Sequence, residues 1–284
     1  MKNSPRTPRM TAPAATTLIG FPPPLLGEKP LRLAVLKADG SGGVALEKPA
    51  GVCWDGDEPG APGIVAAVRL QLATGKPELC ACHLQNPVSA WPLETEIAGI
   101  GLLAPRGPAC ERWRNAFGSA QCTFTFEFLA ANDDGDATAD AFSCALPVAR
   151  HDRLARALIS HSTGKKSITH FRRTARVARW SWWEATTPFP RFHQVRLHAA
   201  ENKLRIAGET LYATGDIPTL AQLSPRRCLN KGPDRALHDG ICLRLREVDC
   251  SGANIKGWEK IIAPEPRKWA VLRERLSANN PGIR

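Results

Sequence analysis

From Leu31 onward, apolar and polar positions alternate or recur at helical spacing in short blocks. Leu31 to Lys37 and Val44 to Lys48 have the length and composition of strands, separated by the turn sequence Asp39-Gly40-Ser41-Gly42-Gly43. Ile64, Val68 and Leu72 recur every four residues across Ile64 to Thr74, which predicts a helix, and Gly75-Lys76-Pro77 stops it. Cys122 to Leu129 alternates with the period of a strand, Phe124, Phe126 and Phe128 on one face and Thr123, Thr125 and Glu127 on the other. After an acidic, glycine-containing loop at Asn132 to Asp140, Lys166 to Thr174 and Val177 to Thr186 predict consecutive strands. Gln194 to Ala199 alternates as well and predicts a strand, with Val195, Leu197 and Ala199 on one face and Gln194, Arg196 and His198 on the other. Ile241, Leu243 and Leu245 predict a late strand with Arg244 and Arg246 facing away; Trp258 to Leu276 reads as a loop and a terminal helix. Many short strands with few helices predict an α+β fold built on a mainly antiparallel sheet.

The opening residues break this pattern. Residues 1–28 are rich in Pro, Thr and Ala, contain Pro22-Pro23-Pro24, and carry no acid before Glu28. They predict a flexible basic tail, with 29–284 as one folded domain. The prolines disfavour the amphipathic helix of a transit peptide. No stretch approaches the roughly 18 apolar residues of a membrane helix. The nine cysteines are irregularly spaced: Cys80 and Cys82 flank no second pair that would complete a zinc site. With no secretory leader pattern, they predict reduced thiols and a soluble, cytoplasmic protein without a metal.

Charge adds more. The chain has 38 basic and 27 acidic side chains, a net charge of +11. Between Arg150 and Arg205 stand 13 basic residues, among them Lys165, Lys166, Arg172 and Arg191, against three acids. A solvated basic face is the plain explanation, but an excess this concentrated favours a nucleic-acid partner.

Several stretches, in order, resemble the RluA-type pseudouridine synthases. Val44-Ala45-Leu46-Glu47-Lys48-Pro49-Ala50-Gly51 is similar to that family's strand ending in asparagine-lysine-proline-serine/alanine-glycine. Cys82-His83-Leu84-Gln85-Asn86-Pro87-Val88-Ser89-Ala90 falls where the family carries its catalytic loop, His-Arg-Leu-Asp-x-x-Thr-Ser-Gly, with Leu84 and Ser89 in register. Gly164-Lys165-Lys166-Ser167-Ile168-Thr169-His170-Phe171 resembles the family's Gly-Lys-x-Ala-x-Thr-x-Tyr. Arg191-Phe192-His193-Gln194-Val195-Arg196-Leu197-His198 resembles Arg-Thr-His-Gln-Ile-Arg-Val-His, and Gly208-Glu209-Thr210-Leu211-Tyr212-Ala213 resembles Gly-Asp-x-Leu-Tyr-Gly. The resemblance covers about residues 31 to 250.

It implies the pseudouridine synthase catalytic-domain fold: a mixed, mainly antiparallel sheet with flanking helices around a central RNA cleft. It implies a monomer acting on structured rRNA or tRNA without a cofactor or metal. In the family reaction an Asp attacks, the uracil–ribose bond breaks, and the base turns over and rejoins through carbon. Transferred in this register, the nucleophile falls on Gln85, the Arg before it on His83, the Tyr that packs on the base on Phe124, and the Arg that pairs with the Asp on Arg196. His83, Lys165, Lys166, Arg172, Arg191 and His193 are the expected RNA contacts.

A carboxamide at position 85 is neutral and a poor nucleophile. The expectation is therefore an RNA-binding protein on this scaffold with weak or absent isomerase activity, Arg196 being left to take a phosphate. Asp55, Asp57, Glu94 and Glu96 flank the region and could supply a substitute carboxylate in an active synthase. A ribosome-assembly factor is the third reading.

Overall fold

The structure is a computed structural model that describes residues 17–38, 40, 43–55, 63–131, 139–177, 179–219, 222 and 236–278. The chain opens with strands β1 (Leu18–Phe21), β2 (Leu31–Ala38) and β3 (Val44–Lys48), then helices α1 (Ile64–Ala73) and α2 (Pro77–Cys80). Strands β4 (Pro87–Trp91) and β5 (Ala98–Pro105), helix α3 (Pro108–Gly118) and strands β6 (Thr123–Ala131), β7 (Ala141–Cys144), β8 (Val148–Arg150) and β9 (Ala157–Ile159) follow. The hairpin β10 (Thr169–Val177) and β11 (Trp180–Thr187) leads to helix α4 (Gln194–Glu201). Strands β12 (Arg205–Ile206), β13 (Leu243–Asp249) and β14 (Lys260–Ile262) and helix α5 (Arg267–Ala278) complete it.

One sheet runs in the order β1-β2-β3-β5-β13-β6-β11-β10-β7, with β4 on β5, β12 on β6 and β14 on β13. Its described pairings are antiparallel except β13 with β5. This is the mixed, mainly antiparallel α+β arrangement the sequence predicts. At the parallel crossing, Gly99 (φ +133°) packs so close that a Cβ would lie 2.3 Å from the Leu245 carbonyl oxygen.

The two faces of β6 explain the core. Phe124, Phe126 and Phe128 point into the main cluster with Trp113, Phe117, Phe171 and Trp183. On the opposite face Leu129 and Ala131 pack with Trp180, Trp182 and the α5 residues Trp269, Leu272 and Leu276. A second unit of core, from Ile19 and Phe21 through Leu33, Leu46, Trp54 and Val68, supports the N-terminal strands.

Several expectations change. Within the proposed tail, Leu18–Phe21 is a strand paired with β2, and Ile19 and Phe21 are buried. Two apolar side chains with a sheet edge to join outweigh the nearby prolines. Residues 1–16 of the tail, positions 39, 41 and 42 of the first turn, Asp57, and 132–138 of the acidic loop lie outside the described residues. Gln194 to Ala199 is helix, not strand. All six positions are buried, so their alternation does not separate core from solvent. Arg244 does not face away into solvent: it is buried against Glu127, with Nη2 3.0 Å from Oε2, and its guanidinium lies over Trp269. Among the described residues no helix is long and apolar enough to cross a membrane.

Candidate active site

The polar centre forms where α4 meets two loops. Gln194 and His198 seat the helix: Gln194 Nε2 donates to the Ile168 carbonyl and to Thr169 Oγ1, each at 2.9 Å, and His198 Nε2 bonds the Leu146 carbonyl at 2.9 Å. Between them, two residues from each, Arg196 is 4% exposed. Its Nε and Nη2 meet Glu209 at 2.7 and 3.0 Å, a bidentate pair, while its Nη1 lies 3.0 Å from Glu96 and 3.8 Å from Glu94. Glu209 also accepts the backbone N–H groups of Thr210 and Leu211. Burial works to lower the Arg196 pKa, but the acids around it win and hold the guanidinium above its ordinary range.

His193 caps α4 in a left-handed conformation (φ 54°) and is 1% exposed. Its backbone N–H donates to Glu94 Oε1 at 2.8 Å and its Nδ1 bonds the Tyr212 hydroxyl at 2.8 Å. Tyr212 in turn accepts the Ala157 N–H at 2.6 Å. This network holds a non-glycine residue at positive φ, with its backbone N–H directed at Glu94.

Glu94 and Glu96 come from the loop between β4 and β5. Lys48, buried at the end of β3, holds that loop from behind. Its ammonium donates to the carbonyls of Pro49 and Thr95, each at 3.0 Å, and of Ile97 at 2.7 Å. Burial draws Lys48 down to about 7, against the pull of Glu94 and Glu96. The two acids diverge. Burial raises the Glu94 carboxyl, outweighing His193 and Arg196. Burial would also raise Glu96, but the His193 hydrogen bond and the Arg196 charge hold it at about 2.

Glu94 lines a cavity of about 570 Å³ whose walls include Trp91, Ile97, Phe126, Phe189 and Phe192, with Arg114, Arg150 and Arg191. A carboxyl group against an apolar, aromatic wall and next to a fixed guanidinium is a perturbed titratable group in a ligand-sized cleft. Glu94, Glu96 and His193 also have metal-ligand chemistry within 4.8 Å of one another. Arg196, however, puts a cation 3.0 Å from Glu96, where a metal would compete with it.

Of the residues singled out in the sequence, Arg196, His193 and Arg191 meet at this centre. Arg196 is already satisfied by carboxylates and is not free for a phosphate. Gln85 and His83 do not meet it: both are exposed and line a different depression with Arg69 and Asn86. Phe124 is wholly buried, 4.8 Å from the Trp91 ring, and Phe126 on the same strand face reaches the cavity instead. Lys165 and Lys166 are exposed ahead of β10, and Arg172 is exposed and paired with Glu184. Glu94 and Glu96, which the sequence offers only as acids flanking the region, are the carboxylates the fold brings to Arg196 and His193. Leu93-Glu94 followed by four residues and Gly99 has the spacing of Leu-Asp-x-x-Thr-Ser-Gly, immediately before the strand that pairs with β3. In that register Pro92 stands in the place of the family's Arg.

Human RNA Pseudouridylate Synthase Domain Containing 4 is similar in structure, with a TM-score of 0.61 at 14% identity, covering 86% of this chain and 92% of that one. Human RNA Pseudouridylate Synthase Domain Containing 1 is similar with a TM-score of 0.53, also at 14% identity, covering 87% and 95%. The chain has the pseudouridine synthase fold. No protein-family model and no curated protein matches it by sequence.

Proposed function

We propose that this protein binds structured RNA and isomerises a uridine to pseudouridine, as an RluA-like synthase in which Glu94, and not Gln85, takes the nucleophile's place. The observation that carries this reading is the Glu94 carboxyl in an aromatic-walled cavity, 3.8 Å from the Arg196 guanidinium. A uridine turned out of its stack would enter beside Trp91 and Phe189. The ionised Glu94 would attack the ribose C1′ as the C1′–N1 bond breaks; the base would turn and join C1′ through C5, releasing the carboxylate, and the proton lost from C5 would be balanced by one gained at N1. Glu96 and Glu209 fix Arg196, which favours the ionised state of Glu94.

A second reading has one observation in its favour. Burial raises the Glu94 carboxyl against the pull of His193 and Arg196, which disfavours its ionised, nucleophilic form. In that case the protein binds RNA with little or no turnover. One experiment separates the two. Unmodified rRNA and tRNA transcripts are incubated with the wild type, Glu94→Gln, Glu94→Asp and Gln85→Asp, and pseudouridine is mapped with carbodiimide. The wild type is expected to form pseudouridine, Glu94→Gln to lose at least about a thousandfold in rate, and Gln85→Asp to match the wild type. Activity in Glu94→Asp alone would establish a binding protein with an otherwise intact site. Activity in Gln85→Asp alone would overturn the assignment of Glu94.

A further inference from the structure

The arginines divide by their partners. Arg172, Arg179, Arg196, Arg244, Arg246 and Arg273 each hold a carboxylate. Among the described residues Arg150 and Arg191 hold none. Each sits over an aromatic ring, as several of the paired arginines also do: Arg150 over Phe192 at 4.6 Å and Arg191 over Phe189 at 4.3 Å. Both arginines and both rings line the cavity that contains Glu94. The Arg191 Nε is buried without a hydrogen-bond partner, and burial, with nothing to oppose it, draws that guanidinium below its ordinary range.

Stacking on a ring fixes the plane of a guanidinium and leaves its N–H edge for an acceptor. Glu94 and Asp55 line the same cavity, so it is not a simple anion sink. A ligand with one planar apolar part and one anionic part fits it: the ring beside Trp91, the anion on the arginines. We infer that Arg150 and Arg191 clamp the phosphate of the nucleotide whose base enters the cavity. This rests on the proposed function, since it takes the base to be uracil. The clamp discriminates a phosphorylated nucleotide from a bare nucleoside and adds a cation to a loop that has Pro92 before its acid.

The test is calorimetric binding of uridine, uridine 5′-monophosphate, uridine 3′-monophosphate and the cytidine and adenosine monophosphates. The proteins are the wild type, Arg150→Met, Arg191→Met and the double variant. One uridine monophosphate is expected to bind at least about tenfold more tightly than uridine, the size of one charge-assisted hydrogen bond. The double variant is expected to bind both alike, the monophosphate losing at least about tenfold more than uridine does. If uridine binds and its monophosphates bind no better, the clamp is overturned while the cavity assignment stands. If all monophosphates bind alike through the arginines, the clamp stands and the uridine reading fails. If nothing binds, both fall. A double variant that weakens uridine as much as its monophosphate would show a structural role and would also overturn the clamp.

Discussion

At the scale of single residues, two neighbouring acids of one loop have opposite electrostatic fates, and this gives a signed prediction. The Glu96 carboxyl titrates at about 2 in the folded protein, below its ordinary 4.5. Its ionised form therefore stabilises the fold above pH 4.5, and that contribution fades as pH falls from 4.5 toward 2. Glu94 is raised instead, so its ionisation costs stability, and the cost appears as pH rises above 4.5. Urea midpoints for the wild type, Glu96→Gln and Glu94→Gln across the acid range check both signs. Glu96→Gln should fall below the wild type at neutral pH and converge with it in acid. Glu94→Gln should gain on the wild type as pH rises. Parallel curves for the two variants would contradict the difference in environment. This distinction was not legible in the sequence, where Glu94-Thr95-Glu96 is simply two acids. Burial of one and the reach of Arg196, about a hundred positions away, create it.

At the scale of elements, the Glu94 loop depends on two positions that carry no chemistry. Gly99 sits where β5 meets β13 in the described parallel pairing, and a Cβ there would meet Leu245 backbone at 2.3 Å and adopt φ +133°. Gly99→Ala must therefore push two strands apart, at a cost of about 3 kcal/mol or more, whereas Gly51→Ala, with nothing within 4 Å, bears only the φ penalty of about 1 kcal/mol. Thermal unfolding of the pair measures the difference. Lys48 pins the same loop through three carbonyls. Lys48→Met would leave them without a donor, lowering stability by about 2–3 kcal/mol. It would also slow any pseudouridine formation through a lower kcat, because Glu94 loses its position without losing its carboxyl. The elements show how far sequence reading extends. Strands with one buried face, such as β6, and the helix α1 are legible because their periodicity records an inside and an outside. The α4 segment is not legible, because hydrogen bonds from Gln194, Arg196 and His198 bury polar positions that patterning places in solvent. The meeting of Glu94 with Arg196 is hidden for a related reason: the contacts that hold its loop come from Lys48 and the His193 backbone, far away along the chain.

At the scale of the molecule, the basic block between Arg150 and Arg205 is a fact of sequence whose meaning changes on folding. Arg196 is spent on Glu209 and Arg172 on Glu184, while Arg179 holds Asp216 and Arg173 holds Asp140. Charge counted along the chain therefore overstates what an RNA would meet. Lys165 and Lys166 are exposed, with no ion pair among the described residues, and follow Gly164, whose Cβ would lie 2.2 Å from the Ser160 carbonyl oxygen, so that the turn presenting them tolerates little change. Each lysine on a phosphate displaces counterions, and each such contact adds about 0.7 to 0.9 to the slope of log affinity against log salt. If RNA lies across this face, replacing Lys165 and Lys166 together by Ala should lower that slope by about one to two in fluorescence anisotropy with a structured RNA. Arg172→Ala, which removes a cation that shares the Glu184 carboxylate with Arg246, should lower the slope by less than the lysine pair does. Equal losses from the two variants would mean that the whole basic block acts as a diffuse field and that the internal pairing of its arginines does not select the RNA-facing surface. A loss confined to the lysines would mean that the fold has divided one basic stretch into a scaffold of paired arginines and a smaller set of charges reserved for the partner.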